Sequence, residues 1–368
     1  MKKKIVHLQV LPILSGVQRI SLSIFKNLDR EKFELFLICA EPTGDIEPAL
    51  ITETEALGIK VIILKDLKRE IGFHDIRALF KLIKIFREYN FDIIHTHSSK
   101  TGFLGRIAGK LSGHRAVIHT VHGIAFHDAE SFLNRILYLL LEIFAGFFND
   151  KVVLVNKFYR KKFWFIPERK LMTIYNSIDF TELKQKQVRN DNRTRLISIG
   201  RLDKQKSPMD LLKVIKTISR ERSDITIRFV GDGEYFADMK KYIEDNDLQN
   251  SVELMGWRND IPALLSESDI FISSPIYEAF GLVFCEAGYT GLPVISTEVE
   301  GIPEVVIHNK TGILVPPRDE AAMREAILYL AENKDIARSM GIEAKKRIEE
   351  NFNLTRFIKE YSELYEIY

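Results

Sequence analysis

Short apolar runs rich in β-branched residues alternate with segments of helical periodicity along the whole chain. The first half contains KKIVHLQV, FELFLICA, IKVIIL, FDIIHTH, RAVIHTV and DKVVLVN. The alternation begins again with TRLISIG, DITIRFVG, SVELMG, SDIFISS and LPVIS. Strands separated by helices indicate parallel sheets covered by helices. The sequence therefore predicts an α/β protein with two doubly wound, parallel-sheet domains.

Two domains also agree with a chain of 368 residues, of which 46% are hydrophobic. Residues 176–194, NSIDFTELKQKQVRNDNRT, lose the apolar periodicity and are typical of a linker. We therefore predict an N-terminal domain over residues 1–176 and a C-terminal domain over residues 177–351. The last segment, residues 352–368, carries an apolar stripe at helical spacing, which predicts a helix that packs back on the first domain.

The two cysteines, Cys39 and Cys285, lie in apolar contexts and lack the spacing of a metal site or a disulfide framework, which favours a reducing cytoplasm. Polar residues interrupt the apolar start of the chain, so we interpret it as a strand and not as a signal peptide. The apolar run at 132–148 is too short for a bilayer and contains Arg135 and Glu142. We do not predict a transmembrane helix there.

Charge is distributed unevenly between the two halves. Residues 1–175 contain 27 Lys and Arg against 18 Asp and Glu, so they carry +9. The whole chain carries +2, so the remainder carries −7. This asymmetry indicates that the first half meets an anionic surface or a phosphorylated substrate, unless the charges simply cover solvated faces.

Two glutamates, Glu278 and Glu286, interrupt the otherwise apolar segment SSPIYEAFGLVFCEAGYTGLPVIS, residues 273–296. Eight residues of one helix would leave them about 80° apart around the axis and about 12 Å apart along it. One continuous helix therefore cannot direct both carboxylates at one atom of a ligand. We therefore predict a strand that ends in DIFISS, a loop through PIYEAFG, and a helix that begins at about Gly281 or Leu282. Glu278 is then on the loop, and Glu286 is in the second helical turn.

That helix start predicts an anion site at the carboxyl end of a parallel strand. Backbone N–H groups near Phe280, Gly281 and Leu282 lack helical partners, and glycine permits close approach. The loop SIGRLDKQKSP, residues 198–208, adds the cations Arg201 and Lys206, which suit a diphosphate. Carboxylates on either side can accept hydrogen bonds from sugar hydroxyls. Together these features describe a nucleotide-sugar site.

These motifs resemble the family 4 glycosyltransferases, which are retaining enzymes of the GT-B type, and the resemblance covers nearly the whole chain. The family signature of two glutamates separated by seven residues is matched by Glu278 and Glu286. The diphosphate-binding Arg and Lys of the family match Arg201 and Lys206. FVGDGE, GIPEVV and TGILVPPRD are further matches. The resemblance implies two Rossmann-like domains that face each other across a cleft.

The resemblance also implies the roles of individual residues. Glu286 is expected at the ribose hydroxyls and Glu278 at the donor-sugar hydroxyls. His122, in TVHG, is expected near the anomeric centre, and Gly16 caps a helix that meets the phosphates. The segment LMGWRND, with Gly256 and Trp257, corresponds to the base region, and Lys100 lies in a segment that matches positions around the sugar and acceptor. We favour UDP over GDP as the nucleotide.

Two positions depart from the family pattern. Ser15-Gly16-Val17-Gln18 stands where family members often have paired glycines, so acceptor contacts there are open. Ala279 replaces a glycine, and its methyl group is tolerable if that residue has a negative φ.

Six of the nine histidines lie between positions 95 and 127. His95 and His97 share one face of a strand, but no carboxylate or cysteine stands nearby at ligand spacing. Arg201, Lys206 and a helix terminus are expected to neutralise the leaving diphosphate. We therefore expect no metal and no other cofactor.

Other functions remain open at this point. A glycoside hydrolase would use Glu278 and Glu286 as its two carboxylates, which leaves Arg201 and Lys206 without a role. A sugar-nucleotide epimerase can share the two-domain architecture. A nucleotide-sugar-binding protein without catalysis is the third alternative.

Basic and aromatic residues alternate in NKFYRKKFWFIPERK, residues 156–170. Arg160, Lys161, Lys162 and Trp164 suit a peripheral contact with an anionic membrane, and the alternative is a helix whose aromatics face the core. We predict a cytoplasmic enzyme at the inner face of the plasma membrane, with a lipid-diphosphate-linked or oligosaccharide acceptor. Polysaccharide biosynthesis would be its setting, and no motif indicates nucleic-acid binding.

Overall fold

A computed structural model describes residues 2–42, 47–68, 70, 72–114, 116–187, 189 and 191–368. Val188 and Asn190 of the predicted linker lie outside these residues. Contacts divide the chain into two compact units. Unit 1 comprises Met1–Asn176 and Thr355–Tyr368, and unit 2 comprises Ser177–Leu354.

The described part of unit 1 is built on a seven-stranded sheet of order β3-β2-β1-β4-β5-β6-β7, in which all neighbours are parallel. The strands are β1 (Lys3–Leu8), β2 (Phe33–Ala40), β3 (Lys60–Leu64), β4 (Ile93–His97), β5 (Ala116–Val121), β6 (Lys151–Leu154) and β7 (Leu171–Thr173). The helices are α1 (Gly16–Asn27), α2 (Ala49–Ala56), α3 (His74–Tyr89), α4 (Ser99–Leu111), α5 (Phe132–Gly146), α6 (Phe158–Lys162) and the C-terminal α14 (Leu354–Ile367).

Unit 2 contains, among the residues described, a six-stranded parallel sheet of order β10-β9-β8-β11-β12-β13. Its strands are β8 (Thr194–Ile199), β9 (Ile225–Val230), β10 (Val252–Leu254), β11 (Ile270–Ser273), β12 (Val294–Thr297) and β13 (Gly312–Val315). Its helices are α7 (Pro208–Ser219), α8 (Phe236–Asp245), α9 (Ile261–Ser266), α10 (Leu282–Thr290), α11 (Ile302–Val305), α12 (Glu320–Glu332) and α13 (Lys334–Asn351). The predicted fold class, two Rossmann-like parallel-sheet domains, is confirmed.

The inner strands of each sheet are mostly buried on both faces, which explains their near-continuous apolar sequences. In unit 1, Ile38 and Ile94 of the sheet pack in one cluster with Leu82 and Phe86 of α3. α14 completes this unit, because Phe357, Tyr361, Leu364 and Tyr365 on one helical face are buried. The Lys3 ammonium on β1 donates to the last carbonyls of that helix, at 3.2 Å from Tyr365 O and 2.8 Å from Glu366 O.

Each sheet has a point at which the strand order reverses. In unit 1 it lies between β1 and β4, and in unit 2 it lies between β8 and β11. The connections that leave two such neighbouring strands run to opposite sides, so a crevice opens beyond their carboxyl ends, where doubly wound proteins bind ligands. The residues that follow these strands are therefore the first candidates for a site.

No helix within the described residues is long and apolar enough to cross a membrane. α5, which contains most of the apolar run at 132–148, has 15 residues and ends at Gly146.

Candidate active site

The β8–α7 loop, residues 200–207, carries the two predicted phosphate-binding cations. The Arg201 side chain is 61% exposed, and its guanidinium is held by the side chains of Asp203 at 3.0 Å and Gln205 at 2.9 Å. A recess beside it is lined by Ser198, Gly200, Arg201, Lys206 and Ser273, among others. Because Ser198 and Ser273 lie on β8 and β11, the recess is located at the switch point of unit 2.

Lys206 forms an ion pair with Glu278, which joins the loops that follow β8 and β11. Both side chains are largely buried, with 17% and 11% of their surfaces exposed. The same loops are fastened by two further bonds, from Gln205 Nε2 to Tyr277 O at 3.1 Å and from Ile276 N to Gln205 O at 2.8 Å. These bonds hold the two loops together and so fix the positions of the residues that carry the carboxylate and the ammonium.

The helix that follows begins where the sequence predicted. Gly281 precedes α10 with φ 71° and ψ 84°, in the left-handed region that favours glycine. A Cβ atom there would lie 2.5 Å from Phe284 Cδ2 and 3.3 Å from Glu278 Cγ, so a side chain would also clash. Leu282 is the first residue of α10, and Glu286 lies in its second turn, as predicted.

Phe280 and Ala279 are buried beside this helix start. The Phe280 ring packs edge-on against Phe352, with centroids 5.4 Å apart. The side chain of Phe280 is therefore a packing group. Ala279 is not among the described residues with positive φ, so the methyl group that replaces the family glycine is tolerated.

The predicted base region also lies at the carboxyl edge of the sheet of unit 2. Gly256 follows β10 with φ 67°, and its carbonyl accepts a hydrogen bond of 2.8 Å from the N–H of Gly231, after β9. The neighbouring Trp257 is 69% exposed. An exposed indole next to a fixed glycine offers a surface on which a base can stack.

In unit 1, Gly16 is the exposed first residue of α1, at the carboxyl end of β1. Ser15 precedes it and makes no side-chain cap, so its hydroxyl does not satisfy the first N–H groups of α1. That hydroxyl instead contacts the side chain of Gln18, which is buried. Where family members often have paired glycines, this protein thus has the buried side-chain amide of Gln18 in the first turn of α1.

His122 follows β5 and stacks on His97, with ring centroids 5.2 Å apart and an interplanar angle of 26°. Its Nε2 lies 2.9 Å from His97 Nδ1, within hydrogen-bond distance. Burial of the ring lowers the pKa of His122 to about 3, although the residue as a whole is only partly buried. His122 is therefore neutral at physiological pH.

The sequence analysis missed His7, which lies directly opposite His95 in the parallel pairing of β1 and β4. Ligand atoms of His7, His95 and His97 lie within 4.8 Å of one another, close enough to hold a metal ion. However, His97 Nε2 and His7 Nδ1 are 3.0 Å apart in a hydrogen bond, so one of them carries a proton. The strand order of a doubly wound sheet could have revealed the role of His7, because the switch point places β1 beside β4.

The predicted acceptor and membrane residues have mixed surroundings. Lys100 is only 14% exposed and pairs with Asp75 at 2.7 Å, so its charge is already matched within unit 1. Lys162 pairs with Asp128 at 3.0 Å, and Arg160 pairs with Glu168.

The aromatics of the same segment divide between core and surface. Tyr159 and Phe163 are buried, as the core-facing alternative predicts, whereas Trp164 is 72% exposed and Lys161 is exposed.

The chain's matches with known proteins agree with this geometry. Residues 14–182 match the model of Glycosyltransferase Family 4, and residues 179–347 match that of Glycosyl transferases group 1. The UDP-Gal:alpha-D-GlcNAc-diphosphoundecaprenol alpha-1,3-galactosyltransferase of Escherichia coli is 32% identical over 99% of this chain and 97% of its own. The capsular polysaccharide biosynthesis glycosyltransferase CapM of Staphylococcus aureus is 26% identical over 81% of this chain and 83% of its own.

The fold is also found in solved structures. HepE of Anabaena, in complex with UDP and glucose, superposes with a TM-score of 0.83 over 100% of both chains at 20% identity. Two doubly wound sheets with paired glutamates and a cationic loop at a switch point define a glycosyltransferase of the GT-B class. The chain belongs to glycosyltransferase family 4.

Unit 1 is expected to lose stability as the pH falls below neutrality. Burial, with a smaller contribution from His122, lowers the pKa of His7 from 6.5 to about 3. The unfolded chain therefore binds a proton below about pH 6.5 while the folded chain does not, so stability is complete above that pH and falls towards pH 3. The loss is about 1.4 kcal/mol per pH unit for each such histidine.

Urea unfolding followed by circular dichroism between pH 7 and pH 5.5 measures this slope. His7→Gln removes one such group, so its stability should depend less steeply on pH than that of the wild type. Parallel slopes for the two proteins would contradict the assignment of a neutral His7.

Proposed function

We propose that this enzyme transfers a sugar from a UDP-sugar, with retention of anomeric configuration, to a lipid-diphosphate-linked or oligosaccharide acceptor in polysaccharide biosynthesis. The observation that carries the proposal is the gathering of Arg201, Lys206, Glu278 and the start of α10 at one switch point. The Escherichia coli relative, which is named for a UDP-Gal donor and a diphosphoundecaprenol-linked acceptor, supports both substrate classes. Unit 2 would bind mainly the donor, and unit 1 the acceptor.

The proposed mechanism depends on charge that develops on the departing diphosphate. Arg201 and Lys206 would stabilise this charge together with the backbone N–H groups at the start of α10. The departing phosphate oxygen would take the proton of the attacking acceptor hydroxyl on the front face of the sugar. No side chain is then required as a nucleophile.

The carboxylates would orient the donor. The ion pair with Lys206 holds the Glu278 carboxylate in the loop after β11, where it would accept hydrogen bonds from donor-sugar hydroxyls. Glu286, in the second turn of α10, would accept from the ribose hydroxyls. His122 would contact the sugar near the anomeric centre, and Trp257 would stack on the base.

Loss of either phosphate-binding cation should lower turnover by roughly 10²-fold, the usual scale of one transition-state electrostatic contact. The variants are Arg201→Ala and Lys206→Ala, measured by release of the nucleoside diphosphate under saturating donor. Lys204→Ala is the matched control, because Lys204 is exposed in the same loop. Near-normal turnover in both test variants would remove the phosphate assignment.

We propose that transfer needs no divalent cation, since Arg201, Lys206 and the start of α10 would together neutralise the leaving diphosphate. Activity should therefore be unchanged in excess EDTA, measured with the same assay. Activity that EDTA abolishes and Mg²⁺ restores would show that the cations of the chain are insufficient.

We also propose that unit 1 docks on an anionic membrane through the exposed face of α5 and its basic border. Seven large apolar residues in or just after α5 are between 41% and 78% exposed: Phe132, Leu133, Ile136, Leu137, Leu140, Phe144 and Phe147. Asp128 pairs with both Arg135 of α5, at 2.8 Å, and Lys162, at 3.0 Å, so α5 lies beside the basic segment. An apolar helix face bordered by cations and an exposed Trp164 suits the headgroup level of a bilayer.

The full chain should sediment with vesicles that contain anionic phospholipid, and salt should weaken this binding. Replacing Arg160, Lys161 and Lys162 together by alanine should weaken it further, and Leu137→Glu with Leu140→Glu should abolish it because charge cannot enter the acyl region. Ile342→Glu, on the exposed face of α13, is the matched control. No sedimentation of the wild type at low salt would exclude the membrane contact and leave the transferase proposal standing.

A further inference from the structure

A buried group of rings in unit 1 lies next to His122 and has no role in the proposed mechanism. His7 on β1, His95 and His97 on β4, and Tyr365 on α14 are all completely buried. Polar rings in a core are stable only when their nitrogens and hydroxyls are hydrogen-bonded. The positions of their protons are therefore fixed by one another.

The hydrogen bonds form one continuous chain that starts at His122. From His122 Nε2 it passes to His97 Nδ1 at 2.9 Å, and from His97 Nε2 to His7 Nδ1 at 3.0 Å. His7 Nε2 then lies 3.0 Å from the Tyr365 hydroxyl, which is 2.6 Å from His95 Nδ1. The last bond joins His95 Nε2 to Thr120 Oγ1 at 2.7 Å. Ser21 Oγ lies beside the bond between His7 and His97, at 3.2 and 3.4 Å from its two nitrogens.

The histidines of this hydrogen-bonded chain are neutral, because burial lowers the pKa of His7, His95 and His97 well below 6.5. A neutral imidazole has one N–H and one lone pair, so a ring that accepts at one nitrogen must donate at the other. All protons between His122 and Tyr365 therefore point in the same direction. The direction chosen at Tyr365 decides the tautomer of His122.

The two distances at Tyr365 indicate that direction. Its single proton can go to His95 Nδ1, at 2.6 Å, or to His7 Nε2, at 3.0 Å. Bonds from O–H donors are typically shorter than bonds from N–H donors, so Tyr365 donates to His95 and accepts from His7. His7 Nδ1 then accepts from His97, and His97 Nδ1 accepts from His122 Nε2.

We propose that Tyr365, His7 and His97 are positioning residues that hold His122 as its Nε2–H tautomer. The Nδ1 lone pair of His122 then accepts a hydrogen bond from a hydroxyl of the donor sugar, whereas the other tautomer would have to donate. This inference rests on the proposed function, in which His122 contacts that sugar. His122 makes no other hydrogen bond within the residues that the structure describes, so its Nδ1 is available.

Nitrogen-15 NMR of the full chain labelled at histidine tests the proposal without any substrate. The His122 signals are identified by their loss in His122→Gln. We expect a protonated Nε2 and an unprotonated Nδ1, and the opposite tautomer or an equal mixture would overturn the proposal. One equivalent of Zn²⁺ should leave the His7, His95 and His97 signals unchanged, and a shift of all three would show a metal site in place of the chain.

Two phenylalanine variants separate this role from a structural one. Tyr365→Phe removes the hydroxyl that sets the direction, so His122 should become a mixture of tautomers. The KM for the donor should then rise about twofold with kcat nearly unchanged, because about half of the molecules would keep the tautomer that accepts from the sugar. Tyr361→Phe is the matched control. The Tyr361 hydroxyl bonds to Thr120 at 3.2 Å, beyond His95, and so lies outside the hydrogen bonds that connect Tyr365 with His122.

Equal effects of the two variants on the His122 tautomer, or no effect of Tyr365→Phe, would overturn the proposal. If Tyr365→Phe does not fold, the wild-type spectrum decides alone. Absence of any transfer by the wild type would instead remove the proposed function, and the tautomer measurement would be unaffected.

Discussion

Two neighbouring parallel strands whose connections leave in opposite directions, β8 and β11, create the crevice on which the site in unit 2 depends. The sheet alone places the two loops side by side, and the ion pair of Lys206 with Glu278 holds them together. A buried pair of this kind contributes little to stability once its desolvation is counted. We interpret it as a positioning device, because it leaves a carboxylate and a cation fixed at the start of α10.

The same constraint operates in unit 1, where β1 and β4 are the neighbours. There it places the start of α1 beside a core that is polar, with His7 opposite His95 in the strand register. Tyr365 of α14 completes the hydrogen bonds of this core, since its hydroxyl bonds to both His7 and His95. The C-terminal helix thus does more than cover apolar surface, since it supplies the hydroxyl at which the direction of the histidine chain is set.

The sequence was sufficient wherever a local pattern determines local structure. The strand and helix alternation predicted both sheets. The eight-residue separation of Glu278 and Glu286, which one helix cannot direct at one point, predicted the loop and a helix that begins at about Gly281 or Leu282, and α10 begins at Leu282. Short edge strands such as β7 carry too little periodicity to be predicted. Contacts between segments that are distant in sequence are not reported by composition and spacing. They decide the importance of His7, the pairing of Lys100 with Asp75 and the burial of Phe163.

The central claim is that this enzyme transfers a sugar from a UDP-sugar with retention of configuration. The most direct measurement incubates the protein with a panel of UDP- and GDP-sugars and a lipid-diphosphate-linked saccharide, and then examines the product by mass spectrometry and proton NMR. The account predicts one added sugar from a UDP donor, with the anomeric configuration that the donor had. Free sugar as the sole product, or a product of inverted configuration, would contradict it.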